Sequence, residues 1–261
     1  MKFAICVKYV PVSDQVEIDP ETHSIKRGSA ECDINPCDLN AMEMAVGLKK
    51  ATGATLDVYT MGPDGATAAL KKCLALGADE AFLLSDRRFA GGDTLGTAKV
   101  LADFLEKNGS YDVIFTGSES SDGATGQVGP MLASLLKMTD VSDAVDVSVD
   151  SEGALKVSRK VPAGRLSLRV KTPVVLSVPF GCNEPALPTL RAQMKANRRE
   201  IHTFTSADAT PSVLEDLKVK SVVTDVFPAP KAKKAEEITG TPEEIADQIA
   251  ALIQERRKKD V

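Results

Sequence analysis

The sequence predicts an α/β fold built on a doubly wound, mostly parallel sheet, with an antiparallel appendage and a C-terminal arm. Three observations predict it. Apolar runs with β-branched character at Phe3 to Val7, Leu56 to Met61, Ala81 to Leu84 and Val113 to Thr116 each give way to small or turn-forming residues and then to a helix-period segment. Beyond Asp140 strict apolar alternation replaces that rhythm, and one helix with clear end signals lies near the C-terminus. Strands alternating with helices lie side by side in parallel, with helices on both faces.

The opening MKFAICVKYV has a short apolar run, and Pro11 follows at once, which suits a buried strand better than a signal peptide. Asn35 can cap the first helix and Pro36 suits its first position, with Cys37, Ala41, Met44 and Leu48 on one stripe. The second helix follows Gly62-Pro63-Asp64 and runs through Leu70, Cys73, Leu74 and Leu76 to a stop at Gly77. A third starts near Asp93-Thr94 and carries Leu95, Ala98, Leu101 and Leu105; a fourth follows the Gly117 to Gly126 loop and ends near Leu136. Val145, Val147 and Val149, then a Ser151-Glu152-Gly153 turn, then Leu155, Val157, Leu166, Leu168 and Val170 mark the antiparallel appendage, about residues 144–171. The nearly continuous apolar run between Pro173 and Pro179 can return to the main sheet as a further strand. From Phe204 onward Pro211, Pro228 and Pro230, with Lys231, Lys233 and Lys234, read as an extended linker. Thr241-Pro242-Glu243-Glu244 has capping-box spacing before a stripe of Ile245, Ile249, Leu252 and Ile253, and Arg256-Arg257-Lys258-Lys259 suits the far end of the helix dipole. That stripe needs a surface to cover it, on this chain or on a partner.

Composition narrows the function. With 43% hydrophobic residues, 26% charged residues and a formal net charge of −5, the chain of 261 residues can fill a core and offers no basic field for nucleic acid. No stretch is long and apolar enough to suggest membrane insertion. Five cysteines, Cys6, Cys32, Cys37, Cys73 and Cys182, are odd in number and scattered without CxxC pairs. Neither a disulfide framework nor a metal site is indicated, and a reducing, cytoplasmic setting fits. His23 and His202 stand apart from any Cys or acid cluster, so they are expected at surface or turn positions, and no catalytic residue is assigned.

The most informative stretch is GSESSDGATGQVGPMLASLL, Gly117 to Leu136, where a strand runs through a Gly-, Ser- and Thr-rich loop into a helix. Free backbone N–H groups and the positive end of a helix dipole are what a diphosphate needs. Gly126 and Gly129 let the backbone approach an anion, and Ser120, Ser121 and Thr125 add hydroxyls. An ordinary βα loop whose Ser and Thr cap the helix is the competing reading. No GxxxxGK[ST] occurs, no GxGxxG follows the first strand, and Gly91-Gly92-Asp93 lacks the Ser of an SGGxDS loop. Thr60-Met61-Gly62-Pro63, Cys6-Val7-Lys8 and Asn35 are expected along the same carboxyl edge of the sheet. Asn35 as cap and Asn35 as ligand are both open, and Lys8 alone reads as a solvated charge. Leu187 and Leu190, in the Pro-rich loop before a basic segment, suit a protruding docking element or a plain surface loop.

AICVKYVP, INPCDLNAMEMAVGLKK, YTMGP with CLALGADEA, GSESSDGATGQVGPMLASLL and NEPALPTLRAQMKANRRE, in this order and spacing, resemble the β subunit of electron-transfer flavoproteins over nearly the whole chain. The resemblance implies a Rossmann-like, adenine-nucleotide-hydrolase-like domain over residues 1–203, with a recognition loop at about 183–199. Residues 204–261 would form a linker and a helix packing on the α subunit. It implies a nucleotide surrounded by Cys6, Val7, Asn35, Met61, Gly62, Asp122, Thr125, Gly126, Gln127, Val128 and Gly129, with Leu190 docking a partner dehydrogenase. FAD is the expected cofactor, AMP the alternative. SDRRFAGGDTLGTAKVLADFL and the DGxTxQVGP form are similar to the bacterial group that includes bifurcating members. In those, electrons from NADH divide between an acyl-CoA-type dehydrogenase and ferredoxin or flavodoxin, and activity belongs to the αβ complex. Ser118-Glu119-Ser120-Ser121 and Ala124 stand where many such members carry a basic residue with Gln-Ala-Ile, and an aspartate. A carrier subunit binding AMP structurally, a docking subunit with an empty site, and an ATP-binding stress or signalling protein are the alternatives; the last typically needs a Gly-rich continuation that does not follow Gly126.

Overall fold

The computed structural model describes residues 1–12, 31–217 and 237–259. His23, Pro228, Pro230, Lys231, Lys233 and Lys234 of the sequence reading lie outside the described residues, as do the side chains of Arg256 to Lys259. Met1–Val223 and Thr224–Val261 are two units, each taken by itself.

In chain order the first unit contains β1 (Lys2–Cys6), β2 (Tyr9–Pro11), β3 (Cys32–Ile34), α1 (Pro36–Thr52), β4 (Thr55–Met61), α2 (Thr67–Leu76), β5 (Glu80–Leu84) and α3 (Thr94–Lys107). There follow β6 (Val113–Gly117), α4 (Val128–Leu135), β7 (Thr139–Val141), β8 (Ala144–Val149), β9 (Leu155–Val161), β10 (Gly164–Val170), β11 (Val174–Val178), α5 (Leu190–Asn197), β12 (His202–Phe204) and α6 (Pro211–Glu215). The main sheet runs β12-β5-β4-β1-β6-β11-β7, and every pairing in it is parallel. The chain steps outward from β1 through β4 to β5 and then returns to β6 on the other side of β1. That reversal makes a switch point, where neighbouring loops diverge and leave a crevice at the carboxyl ends.

Alternation along β1 explains the two layers. Phe3, Ile5 and Val7 join a core with α1 and α2, whereas Ala4 and Cys6 join a second core with α3 and α4. The returning strand expected after Pro173 is β11, buried at all five positions. Asp93 caps α3 by accepting from the Gly96 N–H at 2.9 Å, and Gly77 ends α2 at a φ of 132°, which favours glycine.

Four short strands are additions to the sequence reading. β2 pairs antiparallel with β3, and β7 extends the sheet beyond β11. β12 continues it beyond β5, with the Phe204 and His202 rings stacked near Phe82 at 6.0 and 5.2 Å. His202 thus sits in an edge strand, with Nε2 3.4 Å from Glu80. The stripe on α1 also proves too narrow: Met42, Ala45 and Val46 are buried along with Ala41, Met44 and Leu48. Leu155 and Val157 of the β8–β10 sheet belong to the same core, so the appendage covers a helix face that a solvent-facing helix would leave polar.

The second unit contains α7 (Pro242–Lys259). Its capping box forms as the spacing predicts: Thr241 N–H donates to Glu244 at 2.8 Å, and Glu244 N–H to the Thr241 hydroxyl at 3.3 Å. Ile249, Leu252 and Ile253 are exposed.

At the amino edge of the main sheet a buried polar cluster closes the core. The Tyr59 and Tyr111 hydroxyls meet at 2.6 Å, Tyr111 donates to Asp57 at 2.7 Å, and Asn108 donates to Tyr59 at 2.9 Å. Lys2 lies 3.2 Å from the same Asp57 carboxylate. Burial and the adjoining Asp57 charge push the Tyr59 hydroxyl well above its ordinary range, so it works as a neutral link in this cluster. Tyr111→Phe takes a hydrogen-bond partner from both Tyr59 and Asp57, with an expected loss of about 1–3 kcal/mol. Urea unfolding is expected to show a lower midpoint at unchanged slope.

Candidate functional site

The crevice at the switch point is organised by a residue the sequence reading passed over. Asp38, in the first turn of α1, is buried, and its two carboxylate oxygens accept the Lys8 N–H at 2.7 Å and the Gly117 N–H at 2.9 Å. These amides lie just past the paired stretch of β1 and at the end of β6, so one side chain ties the diverging ends together. Burial pushes its carboxyl up to about 7, against the opposing pull of the two amides. An aspartate in a first helical turn is ordinary in sequence, because it suits the helix dipole, and so carries no signal of this bridge. Gly117 is required beside it: a Cβ there would lie 2.7 Å from Cys37 Cβ and closer still to Asp38.

Asn35 reaches across to the loop after β6. Its amide donates to the Glu119 carbonyl at 2.8 Å and its oxygen accepts the Ser121 N–H at 3.0 Å, while making no side-chain cap on α1. Lys8, read from sequence as a solvated charge, instead donates to Asp122 at 2.6 Å and to Ser120 at 3.2 Å. The loop is therefore pinned at Glu119, Ser120, Ser121 and Asp122. Beyond that point it is free: among the described residues no protein acceptor meets the backbone N–H groups of Thr125, Gly126, Gln127, Val128 or Gly129. Ala124 and Gly126 are left-handed, with φ of 45° and 64°, and α4 begins at Val128. Five successive donors thus collect at a helix N-terminus.

Gly129 lets that terminus sit close to the sheet, since a Cβ there would lie 2.8 Å from Thr116 Oγ1 and nearer to Ser177 Oγ. The Gln127 side chain accepts from Thr94 at 2.8 Å, linking the starts of α3 and α4. A cavity of about 370 Å³ borders the loop at Ser118, Glu119 and Gly126, with Ser177, Pro179 and Phe180 opposite. A larger one of about 600 Å³, between Tyr9, Asp33, Lys72 and Asn197, lies away from these amides.

The structure brings most of the sequence-derived residues to one edge. Cys6 and Met61 are the last residues of β1 and β4, and the Asp122 to Gly129 segment comes after the carboxyl end of β6. Cys6 is buried, and its thiol is pushed up to about 12 by burial and by Asp38, so it is a neutral wall. Val7 turns its side chain into the core and donates its N–H to the Tyr59 carbonyl at 2.9 Å. Gly62 N–H donates to the Leu84 carbonyl at 3.1 Å. Leu187 and Leu190, in the segment that follows β11, are 88% and 74% exposed before and at the start of α5, with Met194 one turn further along.

The Asp38 bridge has a pH signature. The folded carboxyl holds its proton up to about 7, whereas its ordinary value is 3.8, so between these values the folded chain binds the extra proton. Its contribution is full below about pH 4 and is lost as pH rises through about 7. Asp38→Asn removes that slope and turns an amide N–H₂ toward one of the two backbone donors, costing about 1–3 kcal/mol. Thermal unfolding of both forms from pH 4 to 8 checks this, with a flatter profile expected for the variant.

The electron transfer flavoprotein domain family matches residues 22–209 of the chain. The electron transfer flavoprotein subunit beta of Thermoanaerobacterium thermosaccharolyticum is 36% identical over 260 residues, covering 98% of this chain and 99% of that protein. Protein FixA of Azotobacter vinelandii is 39% identical over 246 residues, 90% of this chain and 87% of its own. The caffeyl-CoA reductase-Etf complex subunit CarD of Acetobacterium woodii is 35% identical over 261 residues, 98% of this chain and 99% of its own. The ordered motifs, the doubly wound sheet and full-length similarity agree, and the chain belongs to the electron transfer flavoprotein family, among its β-type subunits.

Proposed function

We propose that the chain works as the β subunit of a heterodimer, holding FAD at the switch-point crevice and passing electrons from NADH toward an acyl-CoA-type dehydrogenase and ferredoxin or flavodoxin. The observation that carries the cofactor reading is the run of five unengaged amides from Thr125 to Gly129 at the start of α4. Such a run suits the two linked phosphates of an adenine dinucleotide better than a single phosphate. Neighbouring side chains fit that role. Asn35 and Lys8 hold the loop's first half in place, and Met61 and the buried Cys6 offer an apolar wall.

When bound, the flavin supplies the redox chemistry, and the protein supplies placement and electrostatics. In this reading the amides neutralise the diphosphate, Gly126 admits it closely, and the α7 stripe packs on the α subunit. Leu187 and Leu190 present an apolar knob to the dehydrogenase, in keeping with their exposure. The relative CarD is a subunit of a caffeyl-CoA reductase-Etf complex, which supports an acyl-CoA-type partner.

Copurification with the α subunit, a visible spectrum and extraction of nucleotide test the reading. Two flavins per heterodimer are expected; one flavin with AMP would support a carrier whose β-site nucleotide is structural, and no nucleotide would sink both. Gly126→Val forces a β-branched residue into a left-handed turn whose Cβ would lie 3.5 Å from the Ser118 carbonyl. This variant is expected to purify without its β-site nucleotide, and full retention counts against the amide cradle.

A further inference from the structure

The outer face of β9 and β10 carries a run of cations, next to β8, whose exposed Asp146 lies opposite Ser158. Between Leu155 and Lys171 the chain holds six Lys and Arg residues and no Asp or Glu, although its formal net charge is −5. Strand register sets four of these cations on the exposed face. Lys160 lies directly opposite Arg165, and Lys156 directly opposite Arg169, with Ser158 and Ser167 paired between them. Arg169 is engaged, at 2.7 Å from Asp150 and 2.6 Å from Glu152. Lys156, Lys160 and Arg165 are exposed, and among the described residues none has an acidic partner.

Like charges directly opposite on adjacent strands are destabilising, so the fold itself gains nothing from the Lys160–Arg165 pair. A permanent subunit interface would be more apolar than this Lys, Arg and Ser surface, from which Leu166, exposed on β10, alternates away. Polar surfaces with an excess of one charge favour fast, salt-sensitive and reversible encounters with a surface of opposite charge. We propose that the outer face of β9 and β10 is a transient docking surface for an acidic protein, read by Lys156, Lys160 and Arg165. It is separate from the exposed Leu187 and Leu190 knob, which offers apolar side chains, and it does not depend on which nucleotide the crevice holds.

The test uses the full chain purified with its α subunit, immobilised, with ferredoxin and flavodoxin as acidic protein probes at low and high salt. Binding to at least one probe is expected, weakening steeply with salt. Lys160→Glu with Arg165→Glu is expected to weaken it about tenfold or more, whereas Lys50→Glu, near the end of α1, leaves it within about twofold. Nucleotide content is measured on the same preparations, so loss of probe binding with nucleotide retained is read separately from failure of the cofactor reading. Undiminished binding by the double variant, no binding of the parent to either probe, or parent binding only to vesicles containing phosphatidylserine would overturn the proposal.

Discussion

One buried carboxylate decides how the carboxyl edge of this sheet opens. Parallel strands at a switch point part company, and the amides at their ends lose ladder partners while still shut from water. Asp38 meets two of them at once, Lys8 N–H from the β1 side and Gly117 N–H from β6. The rest of the crevice depends on that bridge. It brings α1 against Gly117 so closely that no side chain fits there, and it leaves Asn35 within reach of Glu119 and Ser121. The loop is anchored in its first half so that its second half can leave its donors unspent.

The two edges of the sheet divide stability and function between them. At the amino edge Tyr59, Tyr111, Asn108, Asp57 and Lys2 satisfy one another in a buried network. At the carboxyl edge successive amides stay, among the described residues, without protein partners. Unpaired backbone donors are a burden in a folded chain unless water or a ligand meets them. A sheet well satisfied at one end can carry such donors at the other, where the proposed nucleotide site breaks a local rule that the remaining structure obeys.

Much of this was legible in sequence, and the parts that were not share a physical reason. β1, β4, β5, β6 and β11 are five- to seven-residue buried strands whose apolar runs stand out between helices. β2, β3, β7 and β12 have three residues each, too few to display a period, and form because a neighbour is already in place. The α1 pattern showed one apolar stripe because the appendage that buries its other faces lies about a hundred residues further along the chain. The Gly- and Ser-rich loop announced itself, being local. The side chains that pin it did not: the Lys8 to Asp122 and Asn35 to Ser121 contacts span 114 and 86 residues. Asn, Lys and Asp near a strand end or helix start have commoner explanations.

Ala124 has a further meaning. It is a non-glycine residue at φ 45°, one position before Thr125 and two before Gly126. Glycine would sit there without strain but would also wander more freely in the unfolded and unliganded chain. With a methyl group in place, the turn surrenders that freedom when the protein folds, not when an anion arrives. In the proposed cradle, rigidity acquired beforehand would leave more of each amide-to-phosphate contact to appear as affinity, so a strained alanine in this strand-to-helix loop would act as a preset for tight capture.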